Sequence, residues 1–164
     1  MKNSLVYLLL LLLSISTYAQ KETTHSTYFF IRHAEKVLSV KNPHLTKKGI
    51  ERAKQWSAML KNYKIDAVLS TDFYRTMETA QPIANANGLK IEKYHPHKLN
   101  VDDLKKSTVR KNVVIVGHSN TIPSLVNSFL GKKKYTDIDE RIYGNIYIVT
   151  VKGNDIRDTL LTLE

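Results

Sequence analysis

The stretch YFFIRHAEK, residues 28–36, places four apolar or aromatic residues directly before Arg32 and His33. A short apolar run of this kind is typical of a buried strand. Two polar side chains that followed the strand into the core would cost about 1–3 kcal/mol for each group left without a partner. The stretch therefore predicts a strand that ends either at a solvated loop or at a site that holds an anion.

Strand-like segments alternate with helix-like segments along the rest of the chain. The predicted strands cover residues 27–32, 66–70, 113–117 and 146–151, with a weaker one at 89–94 and an edge strand at 155–163. The predicted helices cover residues 47–63, 74–88 and 120–131, with a short helix near 101–109. This alternation predicts an α/β fold, a three-layer α/β/α sandwich around a mostly parallel central sheet.

The first two long helices carry specific local signals. Thr46 is a good N-cap for the first of them. Pro82 lies inside the second and predicts a kink or an early break near Gln81. The apolar face of the first helix is predicted to carry Ile50, Ala53, Trp56 or Ser57, and Leu60.

The N-terminal segment is predicted to be a secretory signal peptide over residues 1–19. It has a basic start at Lys2, an apolar run at residues 5–13, and small and polar residues up to Ala19. The alternative is an uncleaved membrane anchor, but the run falls short of the ~20 residues that span a bilayer. We therefore expect a single exported domain at residues 20–164, periplasmic or extracellular, without stable membrane insertion.

The composition limits the classes of molecule that the protein is expected to bind. The chain has 164 residues, no cysteine and a formal net charge of +10, which draws anions such as phosphorylated substrates, nucleic acid or anionic membranes. The absence of cysteine excludes disulfides and lipid attachment through cysteine. We find no arginine-rich tract and no zinc-finger spacing, so we expect no nucleic-acid partner.

Arginine and histidine side chains collect at the ends of the predicted strands, where ligands of parallel sheets bind. The first strand ends in Arg32, which His33 follows, and Arg75 opens the helix after the second. His118 follows the third strand, and Asn120 comes two residues later. Two guanidiniums match the oxygens and the charge of a phosphate dianion. The sequence therefore predicts a phosphate site at this edge of the sheet.

The two histidines supply chemistry at that site. A neutral imidazole such as that of His33 can attack phosphorus and divide the reaction into two steps. Arg32 and the positive pocket are expected to lower the pKa of His33 and so keep it neutral. His118 can donate hydrogen bonds to the charge that develops on the phosphoryl oxygens.

Four stretches, IRHAEK, LTKKG, STDFYRTMETA and VVIVGHSNT, resemble in order the signatures of the histidine phosphatase superfamily, also called phosphoglycerate mutase-like. The resemblance implies a phosphoglycerate mutase-like fold, His33 as the phosphorylated nucleophile, and a phosphate pocket formed by Arg32, Arg75 and His118 without metal or other cofactor. Asn120 is a further candidate for substrate binding. YHPHKLNVDDL and RIYGNIYIV resemble small exported bacterial members.

Two departures from the family pattern concern the reaction. Ala34 stands where the family usually has glycine. Many members also carry a carboxylate as general acid between the second-arginine helix and the second-histidine strand, where this chain has YHPHKLNVDD. A chain without a strong acid would favour good leaving groups, such as phosphohistidine, pyrophosphates or aryl phosphates. The candidate acids are Glu35, which is favoured because it is close to His33, and Asp72, His95, Asp102 and Asp103.

The leading hypothesis is a metal-independent phosphatase that hydrolyses phosphomonoesters or phosphoramidates of a small molecule or a phosphoprotein through phosphohistidine. One alternative is a non-catalytic phospholigand-binding protein of the same fold. Another is a phosphoglycerate mutase-type phosphotransferase, which we favour less because the short chain lacks the insertions that enclose a bisphosphorylated intermediate. Attachment to anionic surfaces through the lysine excess is a third.

Overall fold

The computed structural model describes residues 25–38 and 41–163. The signal peptide predicted at residues 1–19 lies outside these ranges and stays a prediction. The described residues form six strands, which are β1 (Ser26–Arg32), β2 (Ala67–Ser70), β3 (Ile91–Lys93), β4 (Asn112–Gly117), β5 (Asn145–Lys152) and β6 (Asp155–Thr162). They form one sheet in the order β3-β2-β4-β1-β5-β6.

Four of these strands, β1 to β4, run parallel to one another, whereas β5 is antiparallel to β1 and to β6. The sheet is therefore mostly parallel, as the alternation of segments predicts. The antiparallel pair follows from the short turn at Gly153, whose φ of 58° is in the left-handed region that glycine adopts without strain.

The helices are α1 (Lys47–Met59), α2 (Tyr74–Ala86), α3 (Val101–Ser107) and α4 (Thr121–Leu130). α2 continues through Pro82 rather than breaking near Gln81. α4 ends at Gly131, which has a φ of 65° and is therefore in the left-handed conformation common at helix ends. None of the helices in the described ranges has the length and apolar character of a membrane-spanning segment.

The alternation of side chains along β1 builds two cores on opposite faces of the sheet. Phe30 faces the core that α3 and α4 cover, where its ring lies 5.1 Å from that of Phe129. Phe29 faces the core that α1 and α2 cover, which contains Trp56. Helices on both faces of the sheet give the predicted three-layer α/β/α sandwich.

The buried face of α1 differs from the predicted one. Ile50 is 46% exposed, so its assignment to that face was wrong. The cause is a close approach at Gly49, where a Cβ atom would lie only 2.1 Å from the carbonyl oxygen of Glu35. This approach turns Gly49, Arg52 and Trp56 inward and leaves Ile50 in solvent.

Candidate active site

The register of β1 and β4 brings the two histidines together. Arg32 pairs with Gly117 at the carboxyl ends of the strands, and the His33 N–H donates to the Gly117 carbonyl at 2.9 Å. The rings of His33 and His118 then lie with their centroids 5.7 Å apart. Both line a cavity of about 910 Å³ together with Arg75 and Asn120. Four of the five predicted site residues therefore line one cavity, and Arg32 lies beneath it.

His33 is oriented by its own backbone neighbourhood. Its Nδ1 lies 2.8 Å from the Ala34 carbonyl oxygen, which can only accept, so Nδ1 carries the hydrogen and Nε2 keeps the lone pair. Burial, opposed by this hydrogen bond and assisted by Arg32 and Arg75, lowers the pKa of His33 to about 3. The imidazole is therefore neutral at pH 7, as expected, although burial rather than Arg32 is the largest cause.

His118 is held by contacts at both ring nitrogens. Arg75 Nη2 donates to its Nδ1 at 3.3 Å. The Thr71 hydroxyl donates to Thr76, so it accepts a hydrogen bond from His118 Nε2 at 3.0 Å. Burial, followed by the charges of Arg75 and Arg32, lowers the pKa of His118 to about 4. His118 is thus also neutral at pH 7, with its hydrogen on Nε2.

Arg75 enters the cavity from the first turn of α2. Its guanidinium lies 4.6 Å from the centre of the Phe73 ring, and its buried Nε has no hydrogen-bond partner among the described residues. Burial and the charge of Arg32 lower its pKa from the ordinary value, but an arginine remains charged at pH 7. Arg75 therefore brings a positive charge and an unused donor to the site.

Arg32 is fully buried at the floor of the site. Its Nη1 donates to the carbonyl oxygens of Asp139 and Ile142 at 3.0 and 2.8 Å. Its Nη2 donates to the Glu140 carboxylate at 2.5 Å, and Tyr143 lies with its ring centre 4.3 Å from the guanidinium carbon. The segment between α4 and β5 that holds these partners, residues 137–143, is called the 137–143 loop below.

Glu140 is a residue of the cavity wall that the sequence analysis missed. Besides Arg32, it binds Ser119, whose hydroxyl donates to its second oxygen at 2.5 Å. The Ser119 hydrogen bond, with burial opposing and the Arg32 charge assisting, lowers the pKa of this carboxyl. The only sequence signal was the acidic character of residues 137–140, because the loop forms no regular element that would place Glu140 in advance.

Glu35, the favoured acid candidate, is not brought to the cavity. Both its carboxylate oxygens accept from Arg52, at 2.9 to 3.0 Å, and Lys48 lies 3.5 Å away. Burial raises the pKa of this carboxyl, but the contacts with Arg52 outweigh it and the net shift is downward. Glu35 is therefore ionised at pH 7 and occupied in an ion pair with α1.

Two other acid candidates line a neighbouring cavity of about 700 Å³, which shares Arg75, His118 and Asn120 with the first. Asp72 forms an ion pair with Lys93 there, at 2.8 Å. His95 lies on the same wall. These side chains border the neighbouring cavity rather than the cavity that His33 lines.

The remaining candidates, Asp102 and Asp103, lie in the first turn of α3. Their backbone N–H groups donate to the Asn100 side chain at 2.9 and 3.2 Å. Acidic residues at a helix N-terminus stabilise the helix. Neither lines the two cavities described above. Among the described residues, no group of three or more His, Asp or Glu side chains is arranged to hold a metal ion.

Comparisons with known proteins bear on the family and the fold. The family model of the histidine phosphatase superfamily (branch 1) matches residues 28–95, which include Arg32, His33 and Arg75. No curated protein matches the sequence of the chain.

Solved structures show the same fold at low sequence identity. The protein histidine phosphatase SixA complexed with tungstate has a TM-score of 0.66 at 18% identity, over 83% of this chain and 96% of that one. A phosphoserine phosphatase from Entamoeba histolytica has a TM-score of 0.64 at 16% identity, over 85% and 98%. A phosphoglycerate mutase from Bacillus anthracis has a TM-score of 0.66 at 14% identity, over 87% and 94%. The family model therefore makes residues 28–95 similar to the histidine phosphatase superfamily, and the chain shares the fold of these three solved structures.

Proposed function

We propose that this protein is a metal-independent phosphatase that hydrolyses phosphomonoesters or phosphoramidates through a phosphohistidine on His33. The match of residues 28–95 to the superfamily supports a phosphatase-type function in general. The observation that carries the finer proposal is the neutral His33, whose Nδ1 is bound to the Ala34 carbonyl so that Nε2 is free to attack.

Binding of the substrate is a matter of charge and orientation. The phosphate dianion enters the cavity and takes hydrogen bonds from the Arg75 guanidinium, whose buried Nε has no partner in the described part of the chain. The positive charge of Arg32 beneath the site adds to the attraction. Each arginine gives up little hydration free energy when it binds an anion, because a guanidinium is weakly hydrated.

In the first chemical step, the lone pair of His33 Nε2 forms a bond to phosphorus as the bond from phosphorus to the leaving group breaks. The leaving group departs with the bonding electrons and takes up a proton. The imidazole becomes positively charged, and the Ala34 carbonyl that accepts from Nδ1 stabilises this charge.

In the second step, a water oxygen attacks the phosphorus and the P–N bond breaks. Its electrons return to His33 Nε2, the water gives up a proton, and inorganic phosphate leaves. His118 assists in both steps, because a bound phosphate brings negative charge next to it and raises its pKa. It then donates a hydrogen bond to the phosphoryl oxygens, where charge develops.

The substrate class that we propose is a small phosphorylated molecule or a phosphoprotein. Two neighbouring cavities, which share Arg75, His118 and Asn120, leave room for a leaving group of either kind. The protein histidine phosphatase SixA and the phosphoserine phosphatase, which share the fold, support trials of phosphohistidine and phosphoserine substrates.

The test compares the wild-type protein with His33→Ala on an aryl phosphate. We expect phosphate release to fall to the level of the buffer in His33→Ala, and a matched control, His44→Ala, to keep the wild-type rate because His44 lies at the surface beside Glu78. Rapid quenching should trap an acid-labile, base-stable phosphoryl adduct in the wild type. Equal rates above the buffer level with and without His33 would refute His33 as the nucleophile, and binding of phosphate without hydrolysis or an adduct would favour the non-catalytic phospholigand-binding protein instead.

A further inference from the structure

The guanidinium that should bind phosphate is already bound to a carboxylate. Arg32 has no accessible surface, and its Nη2 contacts Glu140 at 2.5 Å. The second Glu140 oxygen accepts from Ser119, next to His118. The Glu140 carboxylate and a phosphoryl group both present oxygen acceptors to the planar guanidinium of Arg32. The carboxylate therefore takes the position that a phosphoryl oxygen needs.

This carboxylate is placed to move. The Glu140 side chain is 69% exposed although its partner Arg32 is fully buried. An ion pair with one exposed member adds little stability, and a dianion competes with a monoanion for the same guanidinium. The backbone around Glu140 is fixed independently, because Arg32 Nη1 binds the Asp139 and Ile142 carbonyls. The side chain can therefore swing away while the loop stays in place.

Neighbouring acidic side chains do not offer the same combination. Asp139 is held by Arg141 through both carboxylate oxygens, at 2.9 and 2.7 Å. Asp137 lines the cavity, but no contact with the arginines or histidines of the site is seen for it in the described residues. Glu140 both lines the cavity and touches the arginine at its floor.

We propose that Glu140 delivers the proton to the leaving group, and that its contact with Arg32 is the resting position from which the substrate phosphate displaces it. This inference rests on the proposed phosphatase function and names the acid that the function requires. The charged or titratable groups that interact with the carboxyl include Arg32 and His33 from the β1 end, Arg75 from α2 and His118 from the β4 end, and Lys36, Asp137 and Asp139 line the same cavity.

The proton balance is as follows. A displaced Glu140, separated from Arg32 and close to the phosphate, has a higher proton affinity and takes a proton from solvent or from a monoanionic substrate. When His33 Nε2 bonds to phosphorus, the P–O bond breaks and the Glu140 carboxyl gives its proton to the departing oxygen. In the second step, the Glu140 carboxylate takes a proton from the attacking water as the P–N bond breaks.

The experiment compares two substrates that differ in leaving group. Glycerol phosphate has a poor leaving group that needs a proton, and 4-nitrophenyl phosphate has a good one that does not. In Glu140→Gln, we expect kcat/KM to fall about 10²-fold or more for glycerol phosphate and to be kept or raised, by about fivefold, for 4-nitrophenyl phosphate, whose phosphoryl group no longer competes with the carboxylate. Glu51→Gln, an exposed glutamate on α1, is the matched control and should leave both values unchanged.

A binding measurement tests the resting position. Removal of the competing charge in Glu140→Gln should strengthen competitive inhibition by inorganic phosphate about fivefold or more. Equal losses on both esters, no loss on either, or unchanged phosphate inhibition would overturn the assignment of Glu140. A wild-type protein that cleaves neither ester and forms no phosphohistidine would instead refute the proposed function, and the role of Glu140 with it.

Discussion

Two arginine–carboxylate pairs flank His33, and they differ in nearly every physical property. In the Glu35–Arg52 pair, both carboxylate oxygens are bound and both side chains are largely buried, at 13% and 9% exposure. In the Glu140–Arg32 pair, the arginine is fully buried and the carboxylate is 69% exposed. The first pair ties the loop after β1 to α1, and the second closes the floor of a cavity.

The difference shows how a carboxylate becomes structural or available for chemistry. Both carboxyls have a lowered pKa, so the direction of the shift does not separate them. The two carboxylates differ in whether an incoming ligand can replace them. No incoming ligand can take the place of Glu35, which does not line the cavity, whereas a phosphate can take the place of Glu140.

The largest expected effect concerns the two arginines. Arg32→Lys keeps a charge but loses the planar fork that a phosphate binds, and we expect kcat/KM to fall about 10²–10³-fold. Arg52→Lys should leave kcat/KM within about threefold, because Arg52 contacts Glu35 and not the cavity. Steady-state kinetics on one aryl phosphate measures both.

The same pair of variants also tests whether the division is real. Circular dichroism and a urea titration of each variant would show that the protein is folded when its activity is measured. A folded Arg52→Lys variant with the rate loss of Arg32→Lys would mean that the Glu35–Arg52 pair takes part in catalysis. The distinction between a structural pair and a pair at the active site would then be wrong.

The second expected effect is on the free energy of unfolding, and here the larger loss is expected in the Glu35–Arg52 pair. Glu35→Gln leaves the buried Arg52 charge without its partner, and we expect the free energy of unfolding to drop by about 2 kcal/mol, less than for a fully buried pair. Glu140→Gln should lower it by less, about 1 kcal/mol or below, because the Glu140 side chain is exposed and Arg32 keeps its hydrogen bonds to the Asp139 and Ile142 carbonyls. Urea denaturation of both variants at pH 7 measures this, and equal losses would contradict the distinction.

The third effect is a pH dependence that the ion pairs do not explain. His33 and His118 have pKa values of about 3 and about 4 in the folded protein, below the ordinary 6.5. Below pH 6.5 and above the folded-state pKa values, the unfolded chain binds more protons than the folded protein. The stability is therefore fully present above pH 6.5 and falls as the pH drops toward 4. We expect roughly 1 kcal/mol per pH unit from each histidine.

Urea titrations between pH 7 and 5 measure this slope, and His118→Asn should remove about half of it. His97→Gln is the matched control, since His97 is an exposed histidine. A slope that is the same in wild type and His118→Asn would mean that the buried histidines are not the groups that titrate.

The same two regions show what the sequence can and cannot predict. Arg32 ends a buried strand, and His33 and His118 come directly after buried strands, so local apolar runs were enough to place them at one sheet edge. Glu35 was favoured because of its nearness to His33 along the chain, but Gly49 brings α1 against its backbone and Arg52 within reach of its carboxylate. Such an approach depends on packing in three dimensions.

Glu35 was favoured from the sequence although it lies outside the cavity, whereas Glu140 lines the cavity and was missed. It follows α4 by ten residues, and no periodic pattern marks the 137–143 loop. The loop is positioned by tertiary hydrogen bonds, among them one from the Ile138 N–H to the Ser119 carbonyl at 2.9 Å. Because these partners are far from β1 in sequence, the contact of Glu140 with Arg32 could be found only after folding.

The smallest expected effect isolates the hydrogen bond that helps to hold Glu140 in place. Ser119→Ala removes one donor to the carboxylate and leaves the Arg32 contact, so the resting position should weaken by less than in Glu140→Gln. We expect inhibition by inorganic phosphate to strengthen about two- to threefold, which matches a net hydrogen-bond contribution at the low end of its range. Ser124→Ala, at an exposed position on α4, is the control. Weaker inhibition in Ser119→Ala would mean that Ser119 binds phosphate directly, and the carboxylate would then share the anion site rather than hold it until substrate arrives.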